Sequence, residues 1–302
     1  MADDRKFLAD IQSESADTRF AAWRQAGDAS PAVIPQLGKL AANQAGVGKA
    51  AREALTTMVH AVGKDPASAN RAGVVKGLVE ISGPGYALPV RVHALRLLSD
   101  VAGEDAVPAI ANWIGKGIGS AELREEVAYC LERIPGDASN KALMAAYKDA
   151  PDDFKPRILA ALGHRRAPGA VSLCLEAMRS PNKDIAVMGV RAFGRIGKKP
   201  ATPPRYPDMK AFSDTQASDV IDGMLRYADA QVKEGNMAEA MAIYKSALER
   251  PQEHWQCAAL IGLARIGSAD AAAAMLPKLK SDNRRVRITA ENAWRSMAGT
   301  KA

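Results

Sequence analysis

The side chains of this 302-residue chain best suited to metal binding or nucleophilic catalysis are four histidines and three cysteines. His60, His93, His164 and His254 stand too far apart to share one helix face, and none belongs to an HExxH motif. Cys130, Cys174 and Cys257 are widely separated, odd in number and lack a CxxC pair. That excludes a disulfide framework or a thiolate zinc site and fits a reducing compartment. Each cysteine has apolar helical neighbours and reads as a small core residue; His164, beside Gly163, reads as packed. Gly83-Pro84-Gly85 is not followed by GK[ST], so it is a turn and not a phosphate loop. No GxSxG is present, and the carboxylates form no acid/base couple. The expectation is a non-enzymatic chain with no catalytic residue, no cofactor and no metal.

The remaining chemistry is recognition. Arg96, Tyr129, Arg133, Arg165, Arg166 and Arg295 recur at matching offsets within similar helical phrases, and Arg191 and Arg195 add charge nearby. Arginine and tyrosine on one face make the composition of a partner-binding surface. These eight residues are the predicted partner-binding set. Trp113, Trp255 and Trp294 fall at helix-packing offsets and are expected in the core.

The elements that position these residues are helices. Hydrophobic residues make up 47% of the chain and aromatics 5%, and about a fifth of the residues are alanine. Such a composition favours helix and starves strands. No apolar run is long enough to span a bilayer. Met1-Ala2-Asp3-Asp4-Arg5-Lys6 lacks the basic and apolar regions of a secretory signal, so a cytoplasmic protein is expected; the alternative is an exported one whose signal has been removed. The net charge of +7 is uneven: residues 1–150 hold 17 basic and 18 acidic side chains, and residues 151–302 hold 24 and 16. An anionic partner would therefore be drawn to the second half.

One phrase recurs: a start residue, apolar positions at helical spacing, and glycine twelve positions on. It runs Ala51–Gly63, Arg91–Gly103, Arg124–Gly136, Arg157–Gly169, Ile185–Gly197, Trp255–Gly267 and Arg287–Gly299, with a shortened copy at Thr18–Gly27. The offset +3 residues, Ala54, Ala94, Val127, Ala160, Met188, Ala258 and Ala290, are expected to be buried where the next helix approaches. The glycine is expected to end each helix in the left-handed conformation. A second amphipathic segment separates the copies, for example Ala106–Gly117 and Gly169–Ser180, so each unit is a helical hairpin.

These units resemble HEAT repeats, with Asn283-Arg284-Arg285-Val286-Arg287 and Leu88-Pro89-Val90-Arg91 as the best matches to the opening of that family's second helix. The resemblance implies an all-α, α-α superhelix (solenoid) of about seven to eight hairpins. It also implies that the second helices line the groove of the stack, which places the arginine set there. The family's Asp–Arg ladder is expected to be interrupted at Ala51, Ile185 and Trp255, where arginine is missing.

Residues 1–199 are read as HEAT-like repeats. Residues 200–218 are read as a proline-rich linker, since four prolines between Lys198 and Pro207 exclude helix. Residues 219–250 resemble a tetratricopeptide hairpin, with Ala228, Gly235, Ala240, Tyr244 and Ala247 at that family's small, turn and packing positions. Residues 251–302 resume the HEAT-like pattern within one continuous stack. A repeat stack offers an extended surface, so the expected function is a scaffold for a protein partner. Two alternatives follow from other helical-repeat families: a nucleic-acid-binding protein like the HEAT-like DNA glycosylases, using the basic second half, and a chromophore or cofactor lyase like those of phycobilisomes.

Overall fold

The computed structural model describes residues 3–43, 45–115 and 120–299. Among the described residues it is all helical, with no strand. It forms two compact units, residues 1–151 and 152–302.

In the first unit the helices are α1 (Asp4–Ile11), α2 (Ala16–Arg24), α3 (Ile34–Ala41), α4 (Gly46–Lys64), α5 (Arg71–Ile81), α6 (Leu88–Val101), α7 (Val107–Ala111), α8 (Ala121–Arg133) and α9 (Asp137–Asp149). In the second they are α10 (Lys155–His164), α11 (Val171–Ala177), α12 (Lys183–Ile196), α13 (Asp214–Lys233), α14 (Met237–Leu248), α15 (Glu253–Ile266), α16 (Ala269–Met275) and α17 (Arg284–Gly299). Within each unit these pair as antiparallel neighbours and stack hairpin on hairpin: α3 on α4, α5 on α6, α13 on α14. Lys116 and Gly117, which close the expected segment Ala106–Gly117, lie outside the described residues.

The core shows where the phrase was misaligned. Ala54, Ala94, Val127 and Ala290 are buried, but Ala160, Met188 and Ala258 are only half-buried. Counted from Arg52, Arg91, Arg124, Ile158, Ala186, Gln256 and Arg287, the third residue on is buried in every copy: Leu55, Ala94, Val127, Ala161, Gly189, Ala259 and Ala290. Four copies are therefore displaced by one residue, because glycine follows the residue that opens the burial pattern by eleven positions in them and by twelve in the others. Burial, not the glycine, sets the phase; each fully buried Leu or Val in these stripes contributes about 1.5–3 kcal/mol.

The recurrent start residue has a specific task. Arg52 Nη1 donates to the carbonyl of Ala41 (2.6 Å), Arg91 Nε to that of Ser82 (2.8 Å) and Arg287 Nη1 to that of Ser281 (2.6 Å). Each acceptor lies at the end of the helical segment before the turn, where carbonyls lack an intrahelical partner. The arginine thus closes its own hairpin. At Ala51 the function is not missing, since Arg52 performs it one residue later. At Trp255 the neighbouring Gln256 Nε2 donates to the carbonyl of Arg250 (2.6 Å).

Glycine ends fewer helices than expected. Gly197 and Gly267 are left-handed C-caps (φ 69° and 68°). Gly63 and Gly299 remain helical, and Gly136 (φ 91°) sits ahead of α9. α10 stops at His164, before Gly169, and the left-handed residue there is Arg166 (φ 49°).

Pro200–Pro207 carries no helix, as its prolines require. The segment nonetheless ends early: Ser213 and Gln216 form a capping box that starts α13 at Asp214, ahead of residue 219. Tyr206 from this segment is packed, with its hydroxyl buried; burial first, and the Glu239 charge second, push the phenol pKa up. The α13–α14 hairpin turns at Gly235 (φ 81°). Buried Gln231 bridges its base, donating to the Gly197 carbonyl (2.6 Å) and accepting from Asn236 Nδ2 (2.9 Å).

Helices of the second unit approach closely. A Cβ on Gly163 would lie 2.9 Å from Ala192 Cα, and one on Gly223 would lie 2.9 Å from the Val190 carbonyl oxygen. Gly194 faces the backbone of Gly223 in the same way. These contacts bring α10, α12 and α13 together and set where their C-terminal ends emerge.

Candidate partner-binding surface

The predicted arginines separate into two groups. The first joins consecutive members of the helix row. Arg96 of α6 pairs with Glu126 of α8, and Arg133 of α8 pairs with Asp100 of α6 (3.1 Å). Arg191 of α12 reaches Asp219 of α13 (3.1 Å). Two pairs that sequence reasoning missed continue the pattern: Arg265 of α15 with Asp229 of α13 (3.0 Å), and Arg285 of α17 with Glu253 of α15 (3.2 Å). A ladder of arginine and carboxylate therefore exists, but along exposed faces between helices, and not at the start residues where arginine was sought. Such exposed pairs contribute about 0–1 kcal/mol each. The hydrogen bond to Glu126 is the main cause that holds the Arg96 guanidinium pKa above its ordinary value.

Tyr129 belongs to this group. It is 41% exposed, and the Arg133 guanidinium stands 5.6 Å from its ring centroid. Arg96, Tyr129 and Arg133 thus share the α6/α8 face, with each cation held by a carboxylate.

The second group lies in the second unit. Arg166 and Arg195 line a cleft of about 960 Å³ at the C-terminal ends of α10, α12 and α13. Lys198, Lys199, Arg226 and Lys233 line it too. The sequence signalled this only as an excess of positive charge in residues 151–302. Arg165 and Arg166 are not on a helix face as predicted: α10 ends at His164, and Arg165 is its C-cap. The chain breaks there because the Ala167 amide donates to the Leu162 carbonyl (3.0 Å), which needs a left-handed residue at position 166. His164 is exposed on the cleft wall and not packed, since its helix terminates before it can turn inward.

Arg295 stands apart on α17, with Glu291 of its own helix at 4.0 Å. Of the tryptophans, Trp255 is buried; Trp113 and Trp294 are half-buried, and the Arg91 guanidinium lies 5.3 Å from the Trp113 ring centroid.

Among the described residues no group of three or more His, Cys, Asp or Glu side chains could hold a metal ion. Burial pushes the thiols of Cys130 and Cys174 up to about 12. Among the described residues no helix is long and apolar enough to cross a membrane.

The sequence matches no family model and no curated protein. Among solved structures, an engineered protein matches 99% of this chain and 89% of its own at 18% identity, with a TM-score of 0.44. Human deoxyhypusine hydroxylase in complex with glycerol matches 76% of this chain and 97% of its own at 17% identity, with a TM-score of 0.40. A chain of the structure of Kap95p with RanGDP matches 98% of this chain at 12% identity with a TM-score of 0.54; the match spans 43% of that chain. This last likeness, with the stacked hairpins, defines the fold as a helical solenoid.

Proposed function

We propose that this chain is a non-enzymatic, HEAT-type interaction scaffold that holds a protein partner on the exposed face of its helix row. The observation that carries the reading is the α6/α8 face. There an exposed tyrosine stands against an arginine on a surface whose cations are fixed in place by Asp100 and Glu126. Tyrosine and arginine are the side chains most enriched at binding hot spots. Fixing them before the partner arrives reduces the entropy lost on binding.

The perturbed groups support a binding role. Tyr206, Tyr227, Tyr244, Cys130 and Cys174 are all pushed upward, chiefly by burial. His93 is pushed downward by burial and Glu253 downward by its hydrogen bonds to Asn283 and Arg285. These groups move away from the neutral range in which a general acid or base works best, and a buried thiol of raised pKa is inert; the Arg91 guanidinium, lowered by burial, is held by the Ser82 carbonyl. Kap95p, in the structure cited above, binds RanGDP; only the use of stacked hairpins to hold another protein is carried over here.

Crosslinking in the source cells followed by mass spectrometry tests the reading. A protein crosslinked to the wild-type chain and lost from a Tyr129→Ala, Arg133→Ala variant is the expected result. Crosslinks unchanged by the double substitution would overturn it.

A further inference from the structure

We propose that the basic cleft of the second unit receives an acidic peptide segment of a protein partner, with Arg166 as its anchor. The inference rests on the protein-binding reading above and supplies the partner's chemistry.

Charge is the first argument. The cleft presents six Lys and Arg side chains against two carboxylates, Asp229 and Glu234. Asp229 is already engaged, accepting from the Tyr244 hydroxyl (2.7 Å) and from Arg265 (3.0 Å). Arg226 is held by Asp222 (2.8 Å), and Lys199 stands 3.4 Å from Glu239. Arg166, Lys198 and Lys233 make no ion pair among the described residues, and all three are exposed. Three helix ends meet here, each carrying roughly half a negative charge. Their sum is about one and a half charges, half that of the three cations without an ion pair, so helix dipoles alone do not balance them.

The second argument is conformational. Arg166 is the one non-glycine residue with positive φ among those described. At the corresponding ends of α12 and α15 the same conformation is taken by Gly197 and Gly267. A side chain in the left-handed region raises the free energy of the fold, and glycine there avoids that cost. Arginine at this position does nothing for stability that glycine would not do better, and its side chain lines the cleft. Strain of this kind, when observed, points toward a binding role.

The third argument selects the ligand. No Phe, Tyr or Trp lines the cleft, and the single imidazole of His164 is a small platform for stacking nucleic-acid bases in succession. Arginine and lysine donors around a cleft near the upper end of ligand-site volumes suit a short run of carboxylates.

Fluorescence anisotropy with the full-length chain and a short fluorescein-labelled peptide of alternating Glu and Asp provides the test. Saturable binding that weakens with added salt is expected. Arg166→Gly should reduce affinity about tenfold, the loss of one charge-assisted contact, while raising the thermal midpoint. Lys198→Glu with Lys233→Glu should also abolish binding, and Lys141→Glu in the first unit should leave it unchanged. The proposal falls if the peptide does not bind, if Arg166→Gly binds as tightly as wild type, or if a single-stranded oligonucleotide of equal charge binds more tightly. Loss of the peptide result with retention of the Tyr129-dependent crosslink would sink this inference alone.

Discussion

The α6/α8 pair and the α12/α13 pair solve the same packing problem differently. In the first unit, the buried residues of α6 and α8 include Leu95, Leu98, Val127 and Leu131, and the exposed arginines each meet a carboxylate on the other helix. In the second, α12 and α13 approach through Gly194 and Gly223, backbone against backbone. In the first unit Gly38 and Gly77 instead receive side chains, from Ile81 and Ile34. Close approach draws helix ends together and gathers the cations near them into one cleft. Close backbone distance does not exclude a cross-helix pair, since Arg191 still meets Asp219 across α12 and α13; Arg166, Lys198 and Lys233 are left available because they stand at or beyond helix ends.

The largest effect should come from touching that distance. Gly194→Ala sets a methyl against the Gly223 backbone, which has no rotamer to yield, and should cost about 3 kcal/mol or more in urea unfolding. Gly38→Ala meets the Ile81 and Tyr86 side chains, which can shift, and should cost about 1 kcal/mol. Equal or reversed costs would break the contrast. Next in size, Arg91→Met removes the donor to Ser82 and the contact with Trp113, with an expected loss of about 2 kcal/mol.

Alkaline pH should weigh more on the second unit, where Tyr206, Tyr227 and Tyr244 are phenols of raised pKa, compared with Tyr86 in the first. Tyr206, Tyr227 and Tyr244 of the second unit all have pKa values raised above the ordinary 10.0, by burial foremost; Glu239 then acts on the first two and Asp229 on Tyr244. A phenol whose folded pKa exceeds its unfolded one contributes fully below pH 10 and loses that contribution as pH rises toward the folded value. The urea midpoint should fall above about pH 10, and Tyr→Phe at all three positions should flatten the fall. Cys130 and Cys174 add a loss of the same sign, one in each unit. The smallest effect belongs to the ladder: Arg96→Ala should change stability by less than about 1 kcal/mol, diminishing further in salt.

Much of the fold was legible in the sequence because helical hairpins repeat a burial pattern, and alanine at the stripe marks where helices meet. The phase was not legible, because the recurring glycine is no fixed ruler: Gly63 stays helical, Gly136 precedes α9, Gly197 and Gly267 cap their helices, and Arg166 does a glycine's work. The candidate surface was half legible. Arg96, Tyr129 and Arg133 share one face as expected. That Arg166 and Arg195 would join Lys198 and Lys233 depended on where α10 and α12 end, which backbone hydrogen bonds at the helix termini decide. The start of α13 was readable in Ser213 and Gln216, whose capping-box spacing was overlooked behind the prolines.

The arginine that reaches back over its own turn has a practical corollary. Since the clasp at Arg91 and Ser82 spans the connector between α5 and α6, that connector can vary without disturbing helix register. An epitope or a fluorescent reporter spliced between the exposed Pro84 and Gly85, ahead of Tyr86 with its packing beside Gly38, should leave the neighbouring modules in step, which makes this bend a natural port for engineering.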